Sequence, residues 1–145
     1  MMRLLCAVAL MMAAPGTALA AEEAPKAVVD AFHAALQGGK GEAALALLAD
    51  DVLIFESGHA EQSKEEYAAG HLAADMEYEA AIKSTVTDRR LSAEGDVAWI
   101  ATEGHSVGTF RGKDVNLMTT ETMVLRRLPE GWRIVHIHWS SAGEH

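Results

Sequence analysis

Three groups of residues have types and spacings that could do chemistry. His136 and His138 stand two apart in a β-type run, so both point to one face of a strand. By alternation Ile134 shares that face, and Val135, Ile137 and Trp139 take the other. Two imidazoles on one face can reach a single ligand or metal ion, or bond to neighbouring strands at a subunit interface. Tyr67, His71 and Asp75 recur at i, i+4 and i+8, with Tyr78 three residues further on, which makes one polar stripe along a helix. In that stripe Asp75 would orient the His71 imidazole as a general base, and Tyr67 would donate to a developing oxyanion. The same stripe on a solvated face would do no chemistry. Glu56, His59 and Glu61 form the third group, in the connection ahead of that helix. His33 lies on the apolar stripe of a helix and reads as a satisfied, partly buried histidine. His105, following Glu103 on its strand, is a weaker candidate, and His145 is terminal.

The elements that must position these groups follow from periodicity. Val29, Phe32, His33 and Leu36 recur at helical spacing, with Pro25 near the helix start and Gly38-Gly39 at its end. Residues 41–49 form a second, short helix, and Val52 to Glu56 a strand. Ser63 with Glu66 makes a capping box that opens a third helix running to about Ala81, with Gly70 inside it. From Ile82 onward the pattern is β, with strands near 82–92, 97–110, 114–127 and 132–140. Turns at 94–96, 111–113 and 129–131 separate them. Helices followed by strands predict an α+β domain with the helices on one face of an antiparallel sheet. A two-residue loop at Pro129 would set Glu121 opposite His138 and Met123 opposite His136. A three-residue loop with a bulge at Gly131 would set Thr122 and Val124 there, and suits proline better. The choice decides which face of the last strand looks inward.

Composition limits the function classes. The chain has 145 residues, one domain's worth, and a formal charge of −9 with no basic stretch, so nucleic acid is not an expected partner. A single cysteine, Cys6, excludes an intramolecular disulfide and a cysteine-based metal site. Residues 1–20 combine Arg3, an apolar run from Leu4 to Ala14, and Ala18-Leu19-Ala20 as a cleavage site. That is the three-part logic of a secretory signal peptide. The run is shorter than the roughly 20 apolar residues that span a bilayer. The expected mature chain is a single domain over residues 21–145, exported, periplasmic in a Gram-negative source and free of the membrane. Loss of Arg3 takes its charge to −10. Four of the seven methionines leave with the leader, whereas all seven histidines remain.

The run Trp132-Arg133-Ile134-Val135-His136-Ile137-His138-Trp139-Ser140 resembles the last strand of nuclear transport factor 2-like (NTF2-like) domains. Its W-x-x-V-H-x-H-x-S pattern is similar to the association domain of calcium/calmodulin-dependent kinase II, and Glu121-Thr122 extends the likeness. The order of elements over residues 25–142 looks like the bacterial SnoaL-like and DUF4440 group. The resemblance implies a cone-shaped fold, three N-terminal helices on a strongly curved sheet with an internal cavity. It also implies that the connection holding Glu56, His59 and Glu61 lies near the cavity mouth, within reach of His71. Fold alone does not assign activity in so diverse a superfamily. One reading is a cavity that binds a small organic ligand through Glu56, His59, Glu61, Glu121, His136 and His138, with His71, Asp75 and Tyr67 as catalytic residues if it is an enzyme. A second is an exported metal-binding protein in which His59, His71, His136 and His138 hold copper or zinc, although no compact ligand motif such as H-E-x-x-H occurs. A third is a homodimeric or larger assembly module. No phosphate loop or nucleotide fingerprint occurs, so no nucleotide cofactor is expected.

Overall fold

The N-terminal half packs helices onto the inner face of a six-stranded sheet built mainly from the C-terminal half. The computed structural model describes residues 15–143, with side chains from Glu23 onward. The leader reading falls mostly on residues 1–14, and His145 on the last two, outside the described residues. Helix α1 spans Pro15–Gln37 and includes Pro25, so it starts well before the expected position. The alanine-rich stretch ahead of Pro25 is itself a strong helix former. Helix α2 is Gly41–Leu45, and strand β1 (Leu48–Glu56) takes over earlier than the leucine spacing suggested. A short strand β2, His59–Glu61, folds back on β1 as a hairpin that its three residues did not announce.

The third helix is two. Helix α3 (Lys64–Ala69) begins at the expected cap, where Ser63 Oγ accepts from the Glu66 amide at 3.1 Å. Glu66 reaches back to the Gln62 amide at 2.6 Å. The chain breaks at Gly70 and resumes as α4, Leu72–Ala81. A Cβ at Gly70 would stand 3.0 Å from the Glu66 carbonyl oxygen and 3.4 Å from Glu61 Oε1, so the glycine marks a close approach as well as a break.

Strands β3 (Ile82–Glu94), β4 (Val97–Phe110), β5 (Lys113–Leu128) and β6 (Gly131–Gly143) form the expected antiparallel meander. The sheet order is β2-β1-β6-β5-β4-β3, and β1 runs parallel to β6, so the sheet is mixed rather than wholly antiparallel. Pro129 and Glu130 form a two-residue loop between the paired Leu128 and Gly131. Yet Val124 pairs with His136 and Thr122 with His138, as the bulged alternative required. The extra residue is Val135. Leu125 pairs with Ile134 and the next β5 residue, Val124, with His136.

This bulge corrects the assignment of faces. Alternation puts Ile134 with the histidines, whereas the bulge puts it with Ile137, and both are fully buried. They join Val29, Phe32, Leu36, Ile54, Ile100, Met123 and Leu125 in the core between helices and sheet. Trp132 packs there, whereas Trp99 is exposed on the outer face. Truncating either core isoleucine leaves a cavity. Ile134→Ala and Ile137→Ala are each expected to cost about 2–5 kcal/mol in urea unfolding. Val135→Ala should cost less than either. Equal losses at 135 and 137 with none at 134 would mean unbroken alternation.

Candidate active site

Between α1, α4 and the inner face of the sheet lies a cavity of about 570 Å³. Its lining includes five carboxylic side chains, Asp30, Glu56, Asp75, Glu79 and Glu121, against two basic ones, His33 and Arg89. Threonines, serines and Gly104 fill much of the strand side. A Cβ at Gly104 would lie 2.9 Å from Thr119 Oγ1 and 3.2 Å from the Thr85 carbonyl oxygen, so glycine keeps this wall close-packed.

At one end, Asp75 on α4 accepts a hydrogen bond from the Tyr67 hydroxyl at 2.8 Å. Tyr67 is fully buried. It holds the carboxyl through Oδ2 and does not line the cavity, so it is placed to position Asp75 rather than to meet an oxyanion directly. Burial raises the Asp75 carboxyl to about 6, and the neighbouring Glu56 charge adds to that, against the opposing Tyr67 bond. Burial also raises Glu56. His71, expected to pair with Asp75, instead bonds through Nδ1 to Glu61. His71 caps the start of α4, one helical turn before Asp75, but its ring meets Glu61 on β2 while Asp75 is held by Tyr67. The hydrogen bond to Glu61 raises the His71 imidazole, although burial opposes it. His59 lies beside it, ring centroids 6.0 Å apart.

At the other end, Glu121 Oε2 accepts from Trp139 Nε1 at 2.7 Å and pairs with His33 Nε2 at 2.9 Å. Burial alone would raise Glu121, but these bonds and the His33 charge bring it below the usual carboxylate range. His33 moves the other way: burial would lower it, and the Glu121 bond raises it above the ordinary histidine value. Trp139 is itself stacked on Phe32, rings 18° apart. Burial raises Glu79 nearby. Arg89 donates to Asp30 Oδ1 at 2.6 Å and to Thr102 Oγ1 at 3.2 Å.

Of the residues singled out by sequence, Glu56, Asp75, Tyr78 and Glu121 line the cavity, and Tyr67 supports one of them. Glu61, His59 and His71 form a separate cluster beside it. His136 and His138 leave the site altogether. The Val135 bulge turns them to the outer face, where both contact Phe55 edge-on and His136 Nδ1 donates to the Leu53 carbonyl at 2.8 Å. The four-histidine metal set is therefore split between two places. Among the described residues, no three His, Cys, Asp or Glu side chains are grouped to hold a metal ion. His105 also faces outward, bonded to Asn116. Asp30, Glu79, Arg89 and the inward role of His33 were missed. Each is a single residue outside any motif, brought to the cavity by the packing of α1 and α4 on the sheet.

Four helices on a mixed six-stranded sheet, with a cavity between the layers, define an NTF2-like fold. A 21%-identical NTF2-like protein of unknown function from Pseudomonas putida shares it at a TM-score of 0.71, over 84% of this chain and 87% of that one. The model of the SnoaL-like domain matches residues 26–144, and the chain belongs to that family. A proposed ketosteroid isomerase from Shewanella frigidimarina is 40% identical, with a TM-score of 0.78 over 81% of this chain and 94% of that one. The calcium/calmodulin-dependent kinase II association domain of C. elegans shares the fold at 18% identity and a TM-score of 0.69, over 86% of this chain and 98% of its own. Comparison with curated proteins gives no match.

The Glu61 bond accounts for the raised His71 imidazole. Glu61→Gln is expected to lower the His71 titration midpoint, followed by its imidazole proton resonances. An unchanged midpoint would show that His71 does not depend on Glu61.

Proposed function

We propose that this chain binds a small organic molecule in the cavity between helices and sheet, and that Asp75 moves a proton on it. The observation that carries this reading is the placement of Asp75. Its carboxyl lines a cavity of about 570 Å³ while the buried Tyr67 holds its Oδ2. That volume falls in the range of small-molecule sites, roughly 300–1,000 Å³. A carboxyl brought to about 6 is a stronger base than an ordinary aspartate and is still largely ionised at neutral pH. Oδ2 is committed to Tyr67, so Oδ1 meets the ligand. The name carried by the Shewanella frigidimarina relative supports the same type of step, since isomerising a ketone transfers a proton between carbons. His71, held by Glu61 outside the cavity, is not the base in this reading.

Two measurements test it. A thermal-shift screen of small organic molecules should give ligands that stabilise the wild type but not Ala74→Trp, whose indole would fill the cavity. Such a ligand should exchange a carbon-bound hydrogen with solvent deuterium on the wild type and not on Asp75→Asn. Equal stabilisation of Ala74→Trp, or wild-type exchange by Asp75→Asn, would contradict the reading.

Asp75 also makes a prediction about stability. Its folded carboxyl lies above the ordinary 3.8, so the fold favours the protonated form. The stability this contributes is fully present below about pH 4 and is lost as pH rises through about 6. Asp75→Asn can keep the Tyr67 bond without the charge. It is expected to be more stable than the wild type at pH 7, by on the order of 1–3 kcal/mol. The difference should shrink towards pH 4. A less stable variant at pH 7 would show that the ionised carboxyl is favoured by the fold.

A further inference from the structure

We propose that the Glu121 end of the cavity is a subsite for a cationic head group, so that the ligand is an amine-bearing organic molecule rather than an anion. The proposal rests on the cavity-binding reading above and adds the chemical class of the ligand.

Three observations lead there. The Glu121 side chain is nine-tenths buried, and only one of its oxygens is used. Oε2 takes both the His33 and the Trp139 bonds, whereas Oε1 is buried with no hydrogen-bond partner. A buried carboxylate short of donors is costly, and a positive charge held in the cavity beside Glu121 lowers that cost. Second, the basic groups that line the cavity are already engaged. His33 is paired with Glu121, and Arg89 with Asp30. An anionic head would find no free cation and would face Glu56, Asp75, Glu79 and Glu121. Third, Glu79 and Glu56 sit in surroundings that penalise their negative charge. A positive charge on the ligand would relieve both, as opposite charges do for buried carboxylates. The body of the ligand would meet Trp139, Tyr78 and Phe110 on the cavity wall.

Three probes sharing one ring system separate the possibilities: 1-naphthylmethylamine, 1-naphthylmethanol and 1-naphthoate, titrated calorimetrically into the full protein at pH 7.5. The amine is expected to bind about tenfold or more tighter than the alcohol, as a charge-assisted bond warrants. The carboxylate should be the weakest. In Glu121→Gln the amide oxygen can keep the His33 and Trp139 bonds while an NH2 replaces Oε1. Amine binding should fall about tenfold, with the alcohol nearly unaffected. If that variant does not fold, Glu79→Gln provides the second measurement and should weaken the amine several-fold. Alcohol binding with the amine no tighter, carboxylate binding as tight as the amine, or unchanged amine affinity in the folded variant would overturn the subsite and leave the cavity reading standing. Failure of all three probes to bind would overturn both.

Discussion

Val135 has no partner opposite it on β5, and this one extra residue decides what the cavity contains. With unbroken alternation, His136 and His138 would follow Trp132 and Ile134 into the interior. The bulge reverses the faces half-way along β6, so Ile137 completes the core and Trp139 reaches the cavity. Trp139 then stacks on Phe32 and donates to Glu121, and Glu121 holds His33. A chain of contacts from sheet to α1 thus depends on a backbone irregularity. Bulges commonly re-aim side chains next to functional sites in this way.

The cavity sets a second constraint, which is electrostatic. Five carboxylic side chains share its lining with two basic ones, in a space partly shielded from water. The fold resolves the tension differently at each end. Glu121 is stabilised as an anion by His33 and Trp139 and moves down, whereas at Asp75 burial and the Glu56 charge outweigh the Tyr67 hydroxyl and the His71 charge and move it up. Carboxyl groups driven apart in this manner can take different roles in one site, one as a fixed charge and one as a group that exchanges a proton. The folded state bears a cost for that arrangement, as sites built for binding or catalysis commonly do.

The sequence was informative where signals are local. Glycine-containing turns at 94–96, 111–113 and 129–131 set the edges of the long strands, and Ser63 with Glu66 set the start of α3. The pairing of Thr122 with His138 was one of two registers that turn chemistry allowed. Which face that register presents was not legible, because the bulge falls at a valine with no glycine to announce it. The parallel pairing of β1 with β6 joins distant segments, and β2 is only three residues long, so neither leaves a periodic trace. The site divides likewise. Glu56, Asp75 and Glu121 could be named as titratable residues on candidate segments, but their distribution over two ends of one cavity is tertiary. His71 has Asp75 four residues ahead on the same helical turn and nevertheless bonds to Glu61, while Asp75 is held by Tyr67. The histidine pair in the last strand drew attention by its spacing, yet a strand has two faces and the spacing is the same on both.

The cavity is governed by carboxyl groups held in opposed electrostatic states. The most direct measurement is a titration of side-chain carboxyl carbons by NMR on protein labelled at aspartate and glutamate. The expected result is an Asp75 midpoint at about 6 and a Glu121 midpoint below the ordinary glutamate range. An Asp75 carboxyl that titrates like a solvent-exposed aspartate, together with a Glu121 carboxyl at or above the ordinary value, would contradict it.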